Sequence, residues 1–315
     1  MKHYLPYLPA GLVLLATSNA MAGQYDDLFT AGVERISTSD KTTHDTISAQ
    51  YKRQNRATGT NYGLRVEKHR FKNSQYRHTG RSIYLQGSTN ITPNIQLSAG
   101  AGSMEIKRVG QDYKKTFTPY HVGVQAQMGP RVQVGVRQER SPAYIRHSLN
   151  DKHGNILTED MTTVEIKTRP MNRVRVNARH QNMRLSDGNR GRKMVVGAYY
   201  GLTPNVWVGL EGTRKRYDRN DVGYSAPKNE RGYALTLDAD MPLSERAKLN
   251  GSLKVGRSKE EGFSGRAKTL YASLGAEFAI SKNTALSANV YHDETRYDNK
   301  RSRENGAMLN LTYRW

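Results

Sequence analysis

Two short stretches hold the residue types that could do acid–base chemistry: Tyr291 to Glu294 (YHDE) and His180. A histidine acts as a general base only beside a nucleophile or an orienting carboxylate. Neither stretch offers a serine nucleophile or a carboxylate pair at a fixed spacing. The sequence also lacks cysteine, a His/Cys metal spacing, a phosphate-binding loop and a dinucleotide glycine motif. We therefore expect no catalytic residues, no metal and no cofactor.

A different chemistry, the attraction of anions, is indicated by RVRVNAR at residues 173–179. Arg173, Arg175 and Arg179 share one parity, and small apolar residues occupy the other. Successive side chains of a β-strand point to opposite faces. The stretch therefore predicts a strand with one wet, charged face and one apolar face, which suits a soluble antiparallel sheet or the wall of a membrane pore.

The N-terminus narrows this choice. Lys2 and His3 precede the apolar run LPAGLVLLAT, and Ala20 and Ala22 form an Ala-x-Ala pattern. These features predict a signal peptide at residues 1–22, cleaved near Ala22, with a mature chain from about Gly23. The run is too short for a membrane helix, which needs about 20 apolar residues.

The composition is unusual for an exported globular protein. The 315 residues carry a formal charge of +21, contain 36% hydrophobic residues and have no cysteine for disulfides. Basic chains often bind nucleic acid. Here the lysines and arginines are spread through every segment and the chain carries an export signal, so we do not expect a nucleic-acid partner.

Tight turns recur along the chain at intervals of 34 to 40 residues, around Pro93, Pro130, Pro170, Pro204, Pro242 and Lys282. One further step back reaches a seventh turn near residue 56. Longer polar stretches such as YDRNDVGYSAPKNER lie between the turns. Short turns at one end and longer loops at the other are typical of transmembrane β-barrels, in which each period holds two strands.

The segments between the turns alternate as such strands should. In the last of them Leu309, Leu311, Tyr313 and Trp315 oppose Asn310, Thr312 and Arg314. The sequence thus predicts an all-β fold in which residues 23–315 form one antiparallel up-and-down transmembrane barrel of about 16 strands. Fourteen strands remain possible because alternation is weak over residues 28 to 88. A secreted β-sandwich alternates in the same way, but it explains neither the strand number nor the very polar second face.

Strand parity assigns side chains to the barrel interior, since a lipid-facing Arg or Lys at mid-membrane costs roughly 2 to 4 kcal/mol. The predicted basic lining comprises Arg65, Arg137, Lys167, Arg173, Arg175, Arg179, Lys215 and Lys254. The same assignment places Arg81 inside. Predicted inward aromatic residues, as platforms for sugar rings, are Tyr199, Trp207, Tyr271 and Tyr291. The lining is expected to be net basic and to favour anions, unless cross-strand ion pairs neutralise it.

Residues 131 to 315 resemble the C-terminal barrel of the exopolysaccharide export porins that carry poly-N-acetylglucosamine. The resemblance rests on an S-D-G-N hairpin loop, here Ser186, Asp187, Gly188 and Asn189, and on a Tyr-x-x-Pro stretch, here Tyr224 and Pro227. A segment around Pro142 is similar to another part of that barrel. The tetratricopeptide scaffold of the family has no counterpart here, so the resemblance implies a polysaccharide-conducting barrel served by a separate periplasmic scaffold.

We therefore expect a porin in the Gram-negative outer membrane that exports a glycan, with the basic lining favouring an anionic or neutral one. Its other expected partners are outer-membrane lipids and the barrel-assembly machinery, which would recognise the C-terminal strand ending at Trp315. Two alternatives remain: an uptake porin for acidic oligosaccharides, and a plugged structural or receptor barrel that acts through its extracellular loops.

Overall fold

The computed structural model describes residues 25–143, 155–220, 222, 224–262, 265–297 and 301–315. The expected signal peptide at 1–22 and the expected mature start near Gly23 lie outside these residues. No described segment forms a helix long and apolar enough to cross a membrane.

Seventeen β-strands account for most of the described chain. They are β1 (Tyr25–Thr38), β2 (Thr43–Asn55), β3 (Asn61–Lys72), β4 (Arg77–Thr92), β5 (Ile95–Arg108), β6 (Lys114–Phe117), β7 (Tyr120–Met128), β8 (Val132–Pro142), β9 (Thr158–Met171), β10 (Val174–Leu185), β11 (Arg190–Thr203), β12 (Val206–Tyr217), β13 (Glu230–Pro242), β14 (Ala247–Glu260), β15 (Ala267–Ala279), β16 (Thr284–Arg296) and β17 (Arg301–Arg314).

Sixteen of these strands form one closed antiparallel ring, which confirms the predicted barrel. Each ring strand pairs with its sequence neighbours, and β1 pairs with β17 from Leu28 opposite Arg314 to Thr38 opposite Glu304. The short strand β6 is not counted among the sixteen, because it pairs with the part of β5 that extends beyond the end of β7. The break between β6 and β7 falls at Thr118 and Pro119, since proline cannot donate to a ladder.

The turns confirm the predicted period and orient the barrel. Seven short connections join β2 to β3, β4 to β5, β7 to β8, β9 to β10, β11 to β12, β13 to β14 and β15 to β16. The other end carries the longer loops, including those between β8 and β9 and between β12 and β13. In transmembrane barrels the short turns are periplasmic and the long loops extracellular.

The outer face carries an apolar band that suits lipid. Large exposed hydrophobic side chains alternate along the strands, for example Leu235 and Leu237 on β13 and Leu309 and Leu311 on β17. At the periplasmic end the ring of Tyr313 stacks on that of Trp315 with centroids 5.6 Å apart. Aromatic residues favour this boundary between hydrocarbon and water.

On the inner face, aromatic rings lie flat against glycines of neighbouring strands. The Tyr199 ring on β11 covers Gly209 on β12, and the Tyr291 ring on β16 covers Gly306 on β17. A Cβ atom at either glycine would collide with the ring. The glycines therefore let bulky aromatic side chains line the wall without protruding far into the lumen.

Gly209→Ala is expected to destabilise the barrel by about 1–3 kcal/mol, because the new methyl group would displace the Tyr199 ring and lie 2.6 Å from the Ala198 carbonyl oxygen. The free energy of unfolding in urea, measured in lipid vesicles, tests this. Gly212→Ala is the matched control on the outer face of β12, where the nearest atom to the new methyl lies 3.9 Å away. Equal losses in the two variants would contradict the prediction.

Candidate pore lining

Seven of the eight predicted basic residues lie on inward positions of ring strands. Arg65 is on β3, Arg137 on β8, Lys167 on β9, Arg175 and Arg179 on β10, Lys215 on β12 and Lys254 on β14. Arg173 instead forms, with Asn172, the two-residue turn between β9 and β10, where Val174 pairs with Met171. It is an exposed residue of the periplasmic rim.

Carboxylates neutralise most of these inward cations. Arg65 contacts Glu67, Arg137 Nε lies 2.7 Å from Glu139 Oε2, and Lys254 Nζ lies 2.9 Å from Glu211 Oε2. Glu165 serves two cations at once, at 2.9 Å from Lys167 Nζ and 2.8 Å from Arg179. Cross-strand pairing depends on register, and these observed pairs reduce the positive potential that the sequence alone predicts for the lumen.

Lys193 is an inward cation that strand parity in the sequence analysis does not include. Lys193 on β11 lies directly opposite Lys215 on β12, and both side chains point into the barrel. The alternation of Lys193 with Met194 and Val196 could have revealed it. This pair places two positive charges side by side on the lumen wall.

Arg81 is a correction. The sequence assignment puts it inside, but it shares the outer face of β4 with exposed Ile83 and Leu85. The error follows from the weak alternation of the first strands, where polar residues occupy both faces near the extracellular end.

Arg175, a residue of the predicted basic lining, contacts two of the predicted inward aromatic residues in one cluster. Its guanidinium carbon lies 4.6 Å from the ring centroid of Tyr199 and 5.1 Å from that of Trp207. The same guanidinium donates to Asp238 Oδ2 at 3.2 Å, and Ser252 Oγ donates to Asp238 Oδ1 at 2.8 Å. The cluster links β10 to β14 across the inner wall and buries Tyr199 to 8% exposure.

The other two predicted aromatic residues form a second platform. Tyr271 and Tyr291 stack with centroids 6.3 Å apart and an interplanar angle of 25°. The Tyr291 hydroxyl donates to Glu304 at 2.7 Å. The two rings therefore lie together on the inner wall, formed by β15 and β16.

The acid–base candidates are separated by the wall. Tyr291 and Asp293 occupy inward positions of β16, while His292 and Glu294 point outward, where Glu294 contacts Arg301. His180 points outward from β10 beside Asn182, at 3.3 Å. Among the described residues, His292 Nε2 and Glu294 Oε2 lie 3.5 Å apart on the outer face, whereas the wall separates them from Tyr291 and Asp293, and His180 lies on another strand.

A polar recess on the other side of the lumen was not foreseen from the sequence. It has a volume of about 610 Å³ and lies between β2, β3, β4, β5 and β7. Amide and hydroxyl side chains dominate its lining, which includes Gln50, Gln54, Asn61, Gln86, Ser88, Asn90, Gln96 and Ser98. Such groups both donate and accept hydrogen bonds without adding charge.

Loop residues narrow the extracellular end of the lumen. In the loop between β12 and β13, Val222, Tyr224 and Ala226 pack on inward side chains that include Met183 and Tyr217. Across the mouth, Ile156 packs on a second buried cluster formed by Phe71, Met104 and Ile106. Ile156 belongs to the loop between β8 and β9. Lys115 Nζ donates to its carbonyl oxygen at 2.6 Å, which anchors the β8–β9 loop to β6.

Asp187, Asn189 and Tyr224, on which the resemblance to export porins rests, hold the loop between β12 and β13 in place by hydrogen bonds. The Tyr224 hydroxyl donates to Asp187 Oδ2 at 2.9 Å and accepts a bond from Asn189 Nδ2 at 3.0 Å. Asn189 also donates to the Arg219 carbonyl oxygen at 3.0 Å. Gly188 adopts the positive φ of 86° that this tight hairpin requires.

Burial, and then the Asp187 carboxylate, raise the pKa of the Tyr224 phenol above its ordinary value. The phenol therefore keeps its proton at neutral pH and remains the donor to Asp187.

Comparison with known proteins shows what this architecture resembles. No protein-family model and no curated protein matches the sequence significantly. A solved structure described as a bacterial polysaccharide outer membrane secretin matches with a TM-score of 0.69 and 14% identity, over 92% of this chain and 98% of that one. CdiB from Acinetobacter baumannii matches with a TM-score of 0.56 and 10% identity, over 91% of this chain and 60% of that one.

A third structure, OccK11 of Pseudomonas aeruginosa, gives a TM-score of 0.50 and 10% identity over 92% of this chain and 95% of that one. The chain has the fold of an outer-membrane β-barrel. At these identities the likeness concerns the fold alone, and the substrate has to be argued from the lining.

Glu165→Gln is expected to shift ion selectivity toward anions, because it removes the carboxylate shared by Lys167 and Arg179. The reversal potential in a planar bilayer under a salt gradient measures this shift. Glu105→Gln is the control, since it removes a carboxylate paired with Lys107 on the outer face of β5. The prediction fails if both variants shift the reversal potential equally or neither does.

Proposed function

We propose that this barrel is an outer-membrane porin that exports a polysaccharide, with a neutral glycan as the preferred substrate class. The single observation that carries the proposal is the amide- and hydroxyl-lined recess of about 610 Å³ inside the lumen. The solved barrel of similar fold is described as a polysaccharide outer membrane secretin, and we extend a polysaccharide substrate, though not its charge, from that description.

The chemistry of the recess suits uncharged sugars. Sugar hydroxyl and N-acetyl groups both donate and accept hydrogen bonds, as do the side chains of Gln50, Gln86 and Asn61 that line the recess. The stacked rings of Tyr271 and Tyr291 offer a flat apolar surface to the faces of sugar rings. Uncharged contacts of this kind hold a chain weakly enough to let it move on.

The electrostatics favour a neutral over an acidic glycan. The ion pairs of Arg65, Arg137, Lys167, Arg179 and Lys254 leave less attraction for anions than the sequence composition implies. Among the described side chains that line the recess, Lys52 is the one lysine or arginine. We therefore expect hydrogen bonding to neutral sugars to determine the substrate preference more than the attraction of anions does.

The proposal assigns no catalytic step to the barrel. It includes a separate periplasmic protein that delivers the polymer, and recognition by the assembly machinery of the outward aromatic residues of β17, Tyr313 and Trp315.

Block of single-channel current by added sugars tests the proposal. N-acetylglucosamine oligomers are expected to block the current at lower concentration than oligogalacturonates of the same length. The double variant Gln50→Leu/Gln86→Leu is expected to weaken block by about thirtyfold, since each of the two lost polar contacts contributes roughly 1 kcal/mol. Gln138→Leu on the outer face of β8 is the control and is expected to leave block unchanged. Stronger block by the acidic oligomers would refute the neutral-glycan assignment and favour the uptake of acidic sugars.

A second candidate function is favoured by the packing at the extracellular mouth. The docked residues Val222, Tyr224 and Ala226 suit a plugged barrel that acts through its loops. In this alternative the lumen stays closed and the loops bind an external partner.

The double variant Asn189→Ala/Tyr224→Phe separates the two candidates. Removal of the hydrogen bonds that join the loop to Asp187 is expected to raise the open probability of an export channel severalfold, measured in planar bilayers. Tyr297→Phe is the control, because that hydroxyl, in the loop after β16, donates to Glu260 at the end of β14 at 3.2 Å and does not contact Asp187. A barrel that stays silent in both variants would favour the plugged alternative.

A further inference from the structure

A belt of cations lies on the outer face of β11 to β15, at the extracellular edge of the apolar band. On β11 the outward side chains from Met194 to Leu202 are apolar or aromatic, and Arg192 is the next outward residue toward the loops. On β14 Arg257 follows exposed Leu253 and Val255 in the same way. The apolar band of such barrels is about 25 Å tall, so these cations lie where the hydrocarbon ends.

The register sets these cations against one another. Arg192 on β11 is directly opposite Arg216 on β12, and Arg214 on β12 is opposite Arg231 on β13. Arg231 is in turn opposite Lys259 on β14, and Arg257 is opposite Lys268 on β15. Like charges in directly opposed positions repel and destabilise a sheet.

Within the protein, little compensates this repulsion. Every carboxylate on strands β11 to β15 occupies an inward position: Glu211, Glu230, Asp238, Asp240, Glu260 and Glu277. Among the described residues, no carboxylate oxygen lies within 4.0 Å of the guanidinium groups of Arg192, Arg216 or Arg231. All three side chains are exposed.

We propose that the outer face of β11 to β15 binds the phosphate groups of a phosphorylated glycolipid in the outer leaflet of the membrane. Arginine donates paired hydrogen bonds to phosphate, and such charge-assisted bonds are stronger than neutral ones. A lipid with its acyl chains on the apolar band brings its phosphates to the level of Arg192 and Arg216. Each phosphate then lies between two opposed cations and removes their repulsion.

The position of the belt favours a lipid over a soluble anion. The cations adjoin the lipid-facing band directly, on five neighbouring strands at the loop end of this side of the barrel. A free anion would gain only the charge contacts, whereas a glycolipid also covers exposed side chains such as Leu235 and Val255.

The experiment uses the complete chain, refolded in phosphatidylcholine nanodiscs that contain either bisphosphorylated lipid A or its dephosphorylated form. Native mass spectrometry counts the lipid A molecules that stay bound after release into detergent. Arg192→Gln/Arg216→Gln/Arg231→Gln is expected to reduce retention of phosphorylated lipid A by about tenfold, because three charge-assisted contacts are lost. Arg173→Gln/Arg246→Gln/Lys282→Gln is the control, with the same charge change at the periplasmic turns, and is expected to retain the lipid.

The unfolding midpoint provides a second readout that a folding defect would not mimic. In phosphatidylcholine alone the Arg192, Arg216 and Arg231 triple variant is expected to unfold at a higher temperature than the wild type, because repulsion is removed. With phosphorylated lipid A present the order is expected to reverse. Equal retention of phosphorylated and dephosphorylated lipid A, or undiminished retention by the triple variant, would overturn the proposal. Complete displacement by millimolar inorganic phosphate would also overturn it, in favour of a site for free phosphate.

Discussion

The whole structure depends on a wall one residue thick that separates lipid from water. Hydrocarbon cannot hydrogen-bond, so every backbone group must pair within the sheet, and each strand must send alternate side chains to opposite environments. The apolar band, the polar recess near Gln50 and Gln86 and the cation belt near Arg192 all follow from this alternation. A shift of one residue in any strand would exchange the two sets.

This division explains where the formal charge of +21 is located. Inside, cations are balanced by neighbours such as Glu165 and Glu211. Outside, at the loop end of the apolar band, Arg214 and Arg231 oppose each other, and β11 to β15 have no outward carboxylate. The basic composition that first indicates an anion-attracting pore thus describes the outer rim better than the lumen.

The sequence predicts the architecture closely, because its signals are local. Proline and asparagine mark the tight turns, and the alternation of Leu309 and Leu311 with polar residues orients a strand without any knowledge of its neighbours. Arg81 was assigned to the wrong face because polar residues occupy both faces of β4 near the loops. The pairing of Arg175 with Asp238, 63 residues away, depends on the curvature of the closed ring and could not be predicted.

The candidate site could likewise be predicted only where its sequence signals are local. Asp187 and Asn189 were recognised as a hairpin, and Tyr224 as part of a separate motif, but only the folded chain brings Tyr224 within 2.9 Å of Asp187. The recess escaped notice because glutamine and asparagine form no distinctive motif, and the five strands that contribute them meet only in the ring.

The seam between β1 and β17 has a consequence for the order of events in biogenesis. The first and last strands of the described chain supply its two sides, so both edges of the sheet stay open until the last strand has been synthesised. Open edges cannot reside in hydrocarbon. Strands that entered the bilayer one at a time would expose such edges, so the edges of β1 and β17 have to be paired, with each other or with an assembly factor, whenever they lie in hydrocarbon.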